Sequence, residues 1–160
     1  MCAKQDNSHN IHIAITQLGT GLKYNNSTIH YLKAVNDNNS GLKFQKASGA
    51  DAGAITYATP PDVVYATSSE SEKAIAYDIA IVDGKPAILY DAFNGVNVNA
   101  TTNPGSSSNH TYKIALWNGT QWVSNAIANI GDGLKIAQYT TVGGKIFNTN
   151  SYQAGGICFD

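Results

Sequence analysis

The chain has 160 residues, a formal net charge of -1 and only 13% charged residues, which indicates one domain with a neutral, polar surface. All ten basic residues are lysine, and the sequence contains no arginine. Nucleic-acid phosphates are normally neutralised by a clustered basic patch that includes arginine, so this composition argues against nucleic-acid binding. No apolar window approaches the roughly 18 residues that a membrane-spanning helix needs, and no membrane span is expected.

The polar start of the chain, MCAKQDNSHN, predicts an N-terminal tether over residues 1–10, followed by a single β domain over 11–160. Met followed by Cys2 and a short polar run resembles the processed start of a bacterial lipoprotein, which implies a lipid anchor at Cys2. The alternative is an accidental cysteine in a frayed terminus. Cys2 and Cys158 would instead pair if the two termini meet.

The first predicted unit spans about residues 11–58. Within it, residues 28–35 (TIHYLKAV) read as a strand that follows a turn, and residues 41–46 (GLKFQK) read as the next strand. The run NDNNS at 36–40 supplies turn-forming residues between them. This unit is the weakest of three copies of one pattern.

The second unit, residues 76–129, gives the clearest pattern. Asp83-Gly84 separates two apolar runs, and this dipeptide predicts a type I′ hairpin turn because both of its residues tolerate positive φ. A further strand at 110–117 leads through Asn118-Gly119 to a fourth at 121–128. We therefore predict four antiparallel strands, at about 76–82, 86–93, 110–117 and 121–128.

The third unit spans about residues 134–160. Val142-Gly143-Gly144-Lys145 repeats Val82-Asp83-Gly84-Lys85 sixty positions later, and residues 155–159 end the unit as a strand. No segment sustains a helical period, so the chain is predicted to be all-β. Four-stranded units at regular spacing favour a β-propeller with about three blades in an incomplete ring, and a β-sandwich is the alternative.

The second unit also resembles a known family. The run DIAIVDGKPAILYDAF, a loop, and HTYKIALWNGTQWV are similar to a blade of the BNR-repeat, sialidase-like β-propellers, over about residues 54–160. The turn WNGTQW looks like a shortened, degenerate Asp-box, which places Trp117 and Trp122 in blade packing. ATPPDVVYATSS at 58–69 and the final GGICFD resemble connecting segments of these repeats.

Two departures from the family restrict what the resemblance implies. Sialidases of this group grip the substrate carboxylate with arginines, which this chain lacks, so sialidase activity is not expected. A closed propeller has at least four blades. The chain is therefore expected to be a homo-oligomer or part of a larger chain, with unpaired strand edges available for pairing.

A sixteen-residue connection from Asn94 to Asn109 is the most unusual feature, because hairpin loops usually have about two to five residues. Amides, carboxylates and aromatic rings on its flanks are the groups that bind a neutral sugar. Asn36, Asp37 and Asn38 offer similar groups in the first unit. The predicted ligand-binding residues are Tyr90, Asp91, Asn94, Asn109, His110, Tyr112, Asn150 and Tyr152.

Catalytic and metal motifs are sparse. His9 and His12 have a weak metal-ligand spacing, and no phosphate loop, nucleophile elbow or Cys-x-x-Cys occurs. We expect a non-catalytic, exported protein that recognises a glycan or polysaccharide at a cell surface or in extracellular material, without cofactor or metal. The alternatives are a surface-structural or assembly protein, such as a phage or filament component, and a fragment of a polysaccharide lyase or glycosidase.

Overall fold

The computed structural model describes residues 1–17, 27–37, 41–56, 59, 61–68, 72–95, 107–131, 139–142 and 145–148. Every regular element in these ranges is a β-strand, so the all-β prediction is confirmed. None of the described residues belongs to a helix that is long and apolar enough to cross a membrane.

The first sheet, sheet A, is an antiparallel meander with one added strand. Its strands are β1 (Cys2–Gln5), β2 (Ile11–Gln17), β3 (Thr28–Asp37), β4 (Gly41–Gln45) and β5 (Asp62–Ala66). β2 runs along one edge of β3, while β4 and β5 share the other edge, at opposite ends of β3. The segment at 58–69 therefore contributes a strand as well as a connection.

Sheet A begins earlier than the sequence indicated. Residues 2–5 lie in the predicted tether, but here they form β1, and Cys2 pairs with Ala14 in β2. The Cys2 side chain is half-buried and packs against the core, and this burial raises the pKa of its thiol. The first unit therefore has one more strand before its predicted start at residue 11. The prediction missed this strand because a polar sequence such as CAKQ gives little sign of strand pairing.

The second sheet, sheet B, is the predicted four-stranded meander. Its strands are β6 (Glu72–Val82), β7 (Lys85–Gly95), β8 (Ser107–Trp117) and β9 (Trp122–Gly131), paired in chain order. Asp83 and Gly84 both have positive φ, 49° and 72°, which confirms the type I′ turn. The β8–β9 turn is also confirmed, and the Asn118 side chain accepts hydrogen bonds from the backbone of Thr120 and Gln121.

A separate hairpin follows, formed by β10 (Tyr139–Val142) and β11 (Lys145–Asn148). Val142 pairs with Lys145 as Val82 pairs with Lys85, so the repeated hairpin is confirmed. The predicted strand at 155–159 lies outside the described residues, as does Cys158.

The two sheets pack face to face around one apolar core. Sheet B contributes many small residues, which let the sheets approach closely, and Trp122 stacks edge-on against Tyr31 at 5.2 Å. Trp122 is thus a packing residue, as predicted. Packed antiparallel sheets occur both in successive propeller blades and in β-sandwiches. The core residues are Ala14, Ile29, Tyr31, Val64, Ala74, Ala76, Ile79, Ile88, Tyr90, Ala92 and Ala115.

The first strand of sheet B is bound to sheet A through side-chain hydroxyls. The Ala74 amide of β6 donates to Ser27 Oγ at 2.5 Å, and the Ala76 amide donates to Thr16 Oγ1 at 2.9 Å. Ser27 is almost fully buried. These bonds satisfy amides that a neighbouring strand would otherwise pair.

We expect Ser27→Ala to destabilise the protein by roughly 1–3 kcal/mol, because it leaves the buried Ala74 amide without an acceptor. Urea unfolding measures this change. Ser48→Ala is the matched control, since it removes an exposed hydroxyl that accepts only a long 3.4 Å bond from the Ala50 amide. Equal losses in both variants would contradict a specific role for the Ser27 bond.

A second polar network connects the β1–β2 turn with the core. Asp6 accepts hydrogen bonds from the Ser8 and Asn10 amides and, at 3.0 Å, from His12 Nε2. Since Nε2 donates to Asp6, Nδ1 of a neutral His12 accepts from the Tyr31 hydroxyl, at 2.7 Å. This network fixes a buried histidine and a buried tyrosine to the turn.

Candidate functional site

The strand ends that flank the connections β2–β3, β5–β6 and β7–β8 lie together at one end of the two sheets, which we call the loop end. The Thr67 amide donates to the Ser27 carbonyl oxygen at 3.4 Å, and Glu72 pairs with Asn94 across β6 and β7. The residue just before β3 and the residue just after β5 are therefore in contact at this end. The start of β6 lies there too, paired with the end of β7. The Asp83-Gly84 turn lies at the opposite end of sheet B.

Glu72 is the centre of a polar cluster at the loop end. Its Oε1 accepts a short hydrogen bond from the Tyr65 hydroxyl. Its Oε2 accepts from the Ser68 amide at 2.8 Å and from the Ser68 hydroxyl at 2.9 Å. The Glu72 carboxylate is half-buried, so three donors hold it in one orientation at a surface that solvent reaches.

An aromatic and a cationic side chain complete this cluster. The Tyr65 ring packs against the Tyr90 ring, with centroids 4.9 Å apart, and Lys113 Nζ lies 5.0 Å from the Tyr65 centroid. Tyr65 and Lys113 are both half-buried. We call Tyr65, Ser68, Glu72 and Lys113 the Glu72 cluster.

The Glu72 cluster is charged under ordinary conditions. Burial alone would raise the pKa of Glu72, but hydrogen bonds from Tyr65 and Ser68 outweigh it and hold that pKa below its usual value. Burial, together with the hydrogen bond to Glu72, raises the pKa of Tyr65. The cluster therefore presents a carboxylate beside a neutral phenol, with the Lys113 ammonium close to both.

A second polar group lies on the face of sheet B that points away from sheet A. Asp91 Oδ2 and His110 Nδ1 are 2.5 Å apart, and both side chains are almost fully buried. The His110 ring stacks on Phe93 with centroids 4.7 Å apart and an interplanar angle of 20°. Adjacent antiparallel strands β7 and β8 hold the three side chains together.

Burial dominates the electrostatics of Asp91 and raises the pKa of its carboxyl, although His110 opposes this shift. The Thr111 amide also favours the carboxylate. No donor among the described residues meets Asp91 Oδ1 with hydrogen-bond geometry, so one buried acceptor remains unsatisfied within that part of the chain. Such a carboxylate depends strongly on its histidine partner.

Two tyrosines flank the buried pair. Tyr112 lies opposite Asp91 in the β7–β8 pairing, and its ring meets Tyr77 edge-on with centroids 6.0 Å apart. Both rings are half-buried, and burial raises the pKa of Tyr77. They are the accessible aromatic surfaces on this face.

The structure separates the predicted ligand-binding residues. Asp91, His110 and Tyr112 come together, but Tyr90 lies on the opposite face of β7, fully buried between the sheets, and has no surface to offer a ligand. The backbones of Asn94 and Asn109 lie in β7 and β8, beside the long connection. Asn150 and Tyr152 are outside the described residues.

Asn36 and Asp37 do not occupy a place equivalent to the long connection. They end β3 where it turns into β4, and Asp37 forms an ion pair with Lys43 there. The equivalent of the β7–β8 connection is the one between β2 and β3. The prediction did not include β1, so it numbered every strand of the first unit one place too low. It therefore matched the β3–β4 turn to the wrong connection of sheet B. Asn38 is outside the described residues.

The sequence did not point to the Glu72 cluster, or to Phe93 and Tyr77. Tyr65 and Glu72 lie in different sheets, and their contact depends on how the sheets pack. Alternation along β7 does place Phe93 on the same face as Asp91, and this pattern was the available signal.

The described residues define an all-β protein of packed antiparallel sheets. One polar cluster, around Asp91 and His110, lies on the outer face of sheet B, and the other, the Glu72 cluster, lies at the loop end. Within the same residues no group of three or more His, Cys, Asp or Glu side chains is placed to hold a metal ion. Comparison with protein-family models, with curated proteins and with solved structures finds no match to this chain.

Proposed function

We propose that the chain recognises carbohydrate without catalysing a reaction on it, and that the loop end is the binding surface. The observation that supports this most directly is the Glu72 carboxylate, which is accessible, charged and held by three hydrogen bonds. Sugar recognition depends on such fixed polar groups, since a sugar presents many hydroxyls and few other features.

The Glu72 cluster has capacity for a ligand hydroxyl. Each carboxylate oxygen accepts about two hydrogen bonds. Oε2 already accepts two from Ser68, whereas Oε1 accepts one from Tyr65 among the described residues. A sugar hydroxyl that donates to Oε1 would complete the hydrogen bonding of the carboxylate, and Lys113 would donate to a second sugar oxygen.

The composition of the chain favours a neutral sugar. No arginine is present to bind an acidic sugar through a bidentate contact. Within the Glu72 cluster, the half-buried ring of Tyr65 supplies an apolar surface for the C–H face of a sugar. The resemblance to BNR-repeat propellers supports carbohydrate as the class of ligand, and the absence of arginine is what favours a neutral one. The resemblance also supports a location at a cell surface or in extracellular material. A lipid anchor at Cys2 is not part of this proposal, because the Cys2 side chain packs against the core from within β1.

We expect Glu72→Gln to weaken sugar binding at least about tenfold, because a hydrogen bond to a charged acceptor contributes roughly 1.5–3 kcal/mol. An array of neutral and anionic oligosaccharides identifies the sugar, and titration of tyrosine and tryptophan fluorescence with that sugar measures the affinity. The array should retain neutral sugars in preference to anionic ones.

Asp83→Asn is the matched control for Glu72→Gln. It makes the same carboxylate-to-amide change in the exposed turn at the opposite end of sheet B, where asparagine suits the turn geometry. Its affinity should equal that of the unaltered chain. An array on which no sugar is retained, or equal affinities for all three proteins, would contradict the proposed function.

A further inference from the structure

The outer strands of the two main sheets differ in how they avoid pairing with other chains. β1, β4 and β5 have four, five and five residues. β1 carries exposed Lys4, and β4 carries exposed Lys43. Short strands and lysines are two common means by which proteins prevent edge-to-edge association.

The first strand of sheet B, β6, is protected in another way. Its Ala74 and Ala76 amides donate to hydroxyls of sheet A, so two amides of this edge are already bonded within the chain. Four of the five outer strands of the two main sheets therefore have an identifiable protection.

β9 has none of these protections. It has ten residues, WVSNAIANIG, without a charged side chain or a proline. Among the described strands it pairs only with β8, and every residue from 123 to 129 is exposed. Ile127 is 56% exposed, and the cross-strand pair Leu116 and Val123 adds an exposed apolar surface beside it.

We propose that β9 is an interaction surface that pairs with β9 of a second copy of this chain, antiparallel and about a two-fold axis. The regular part of the strand, residues 122–126, would form the contact, because the β8–β9 register shifts beyond it. This association is independent of sugar binding.

The absence of charged side chains on β9 favours β9 of a second copy as the strand that pairs with it. In a two-fold antiparallel pair the residue at the axis faces its own counterpart and the residues on either side pair symmetrically about it. An uncharged strand therefore places no like charges near each other. Pairing of β9 with β1 or β4 of another copy would instead bring Lys4 or Lys43 against an apolar, uncharged edge. The isologous pair also satisfies the same edge in both copies and ends the assembly at a dimer.

We expect the dimer to be detectable by sedimentation velocity over a range of protein concentrations. Asn125→Lys should raise the dissociation constant at least tenfold, since it places two lysines close together across the two-fold axis. Leu42→Lys is the matched control, because it adds the same charge at an exposed position of β4 and should dimerise like the unaltered chain.

Hydrogen exchange tests the same proposal on the unaltered chain. Those amides of residues 123–126 that point away from β8 should become protected as the protein concentration rises, since the others already bond to β8. If Asn125→Lys does not fold, Val123→Lys takes its place, because Val123 is exposed and lies within the proposed contact. A chain that is monomeric at all concentrations would overturn the proposal, as would dimers that Asn125→Lys and Leu42→Lys form equally well. Protection, in the monomer, of the β9 amides that point away from β8 would also overturn it, because the edge would then be covered within the chain.

Discussion

His110→Phe should destabilise the protein by about 2–3 kcal/mol, because leaving a buried acceptor without its donor costs roughly 1–3 kcal/mol, and more when the acceptor is charged. Phenylalanine retains a ring that can stack on Phe93, but it cannot donate to Asp91 Oδ2. Asp91 Oδ1 has no hydrogen bond from the described residues, so the variant leaves a buried carboxylate poorly satisfied. Because domains of this kind are stable by only about 5–15 kcal/mol, urea unfolding should show a large decrease.

The double variant Asp91→Leu, His110→Phe is the control for this prediction. Replacing both partners of a buried hydrogen bond by apolar groups of similar shape is often nearly neutral, so the double variant should recover most of the decrease. A double variant as unstable as His110→Phe would show that the loss comes from packing at residue 110 and not from the unsatisfied Asp91 carboxyl group.

The local patterns of the sequence were sufficient to predict sheet B. Asp83-Gly84 requires positive φ at two successive residues, and only a tight hairpin turn satisfies this between two apolar runs. The same reasoning located the β10–β11 pair, since Val142 and Lys145 repeat the spacing of Val82 and Lys85. Turn chemistry is local, and it can be recognised without knowledge of the packing.

Features that depend on packing could not be predicted in the same way. Alternation along β7 requires that Tyr90 and Asp91 lie on opposite faces, but it does not say which face meets sheet A. Tyr90 lies in the interface, and Asp91 is buried on the other face with His110. The Tyr65–Glu72 contact joins strands of different sheets, so no spacing in the sequence indicates it.

β1 illustrates a related difficulty. CAKQ has no apolar alternation, and its pairing with β2 is fixed by the Asp6 turn that joins them. The aspartate satisfies backbone amides of the turn and also reaches His12, so the information that orders β1 lies in the side chains that follow it. A prediction from strand propensity alone misses such a strand.

Asp6→Ala should destabilise the protein by about 3 kcal/mol, because hydrogen bonds to charged groups contribute roughly 1.5–3 kcal/mol and the buried His12 Nε2 would lose its acceptor. Burial alone would raise the pKa of Asp6, but hydrogen bonds from His12, Asn10 and Ser8 outweigh it and hold that pKa far below its usual value. The carboxylate therefore stabilises the folded state fully above the ordinary pKa of 3.8.

This contribution is lost as the pH falls through the lowered pKa of the folded state, so stability should decrease from about pH 5 towards pH 2. Glu72 has a pKa shift of the same sign, whereas the raised pKa of Asp91 acts in the opposite direction. Asp6→Asn is the matched variant: its amide oxygen still accepts from the turn, but its charge is gone. Urea unfolding across this pH range should show a shallower decrease for Asp6→Asn than for the unaltered chain. Parallel curves for the two proteins would mean that the Asp6–His12–Tyr31 network does not carry the acid sensitivity.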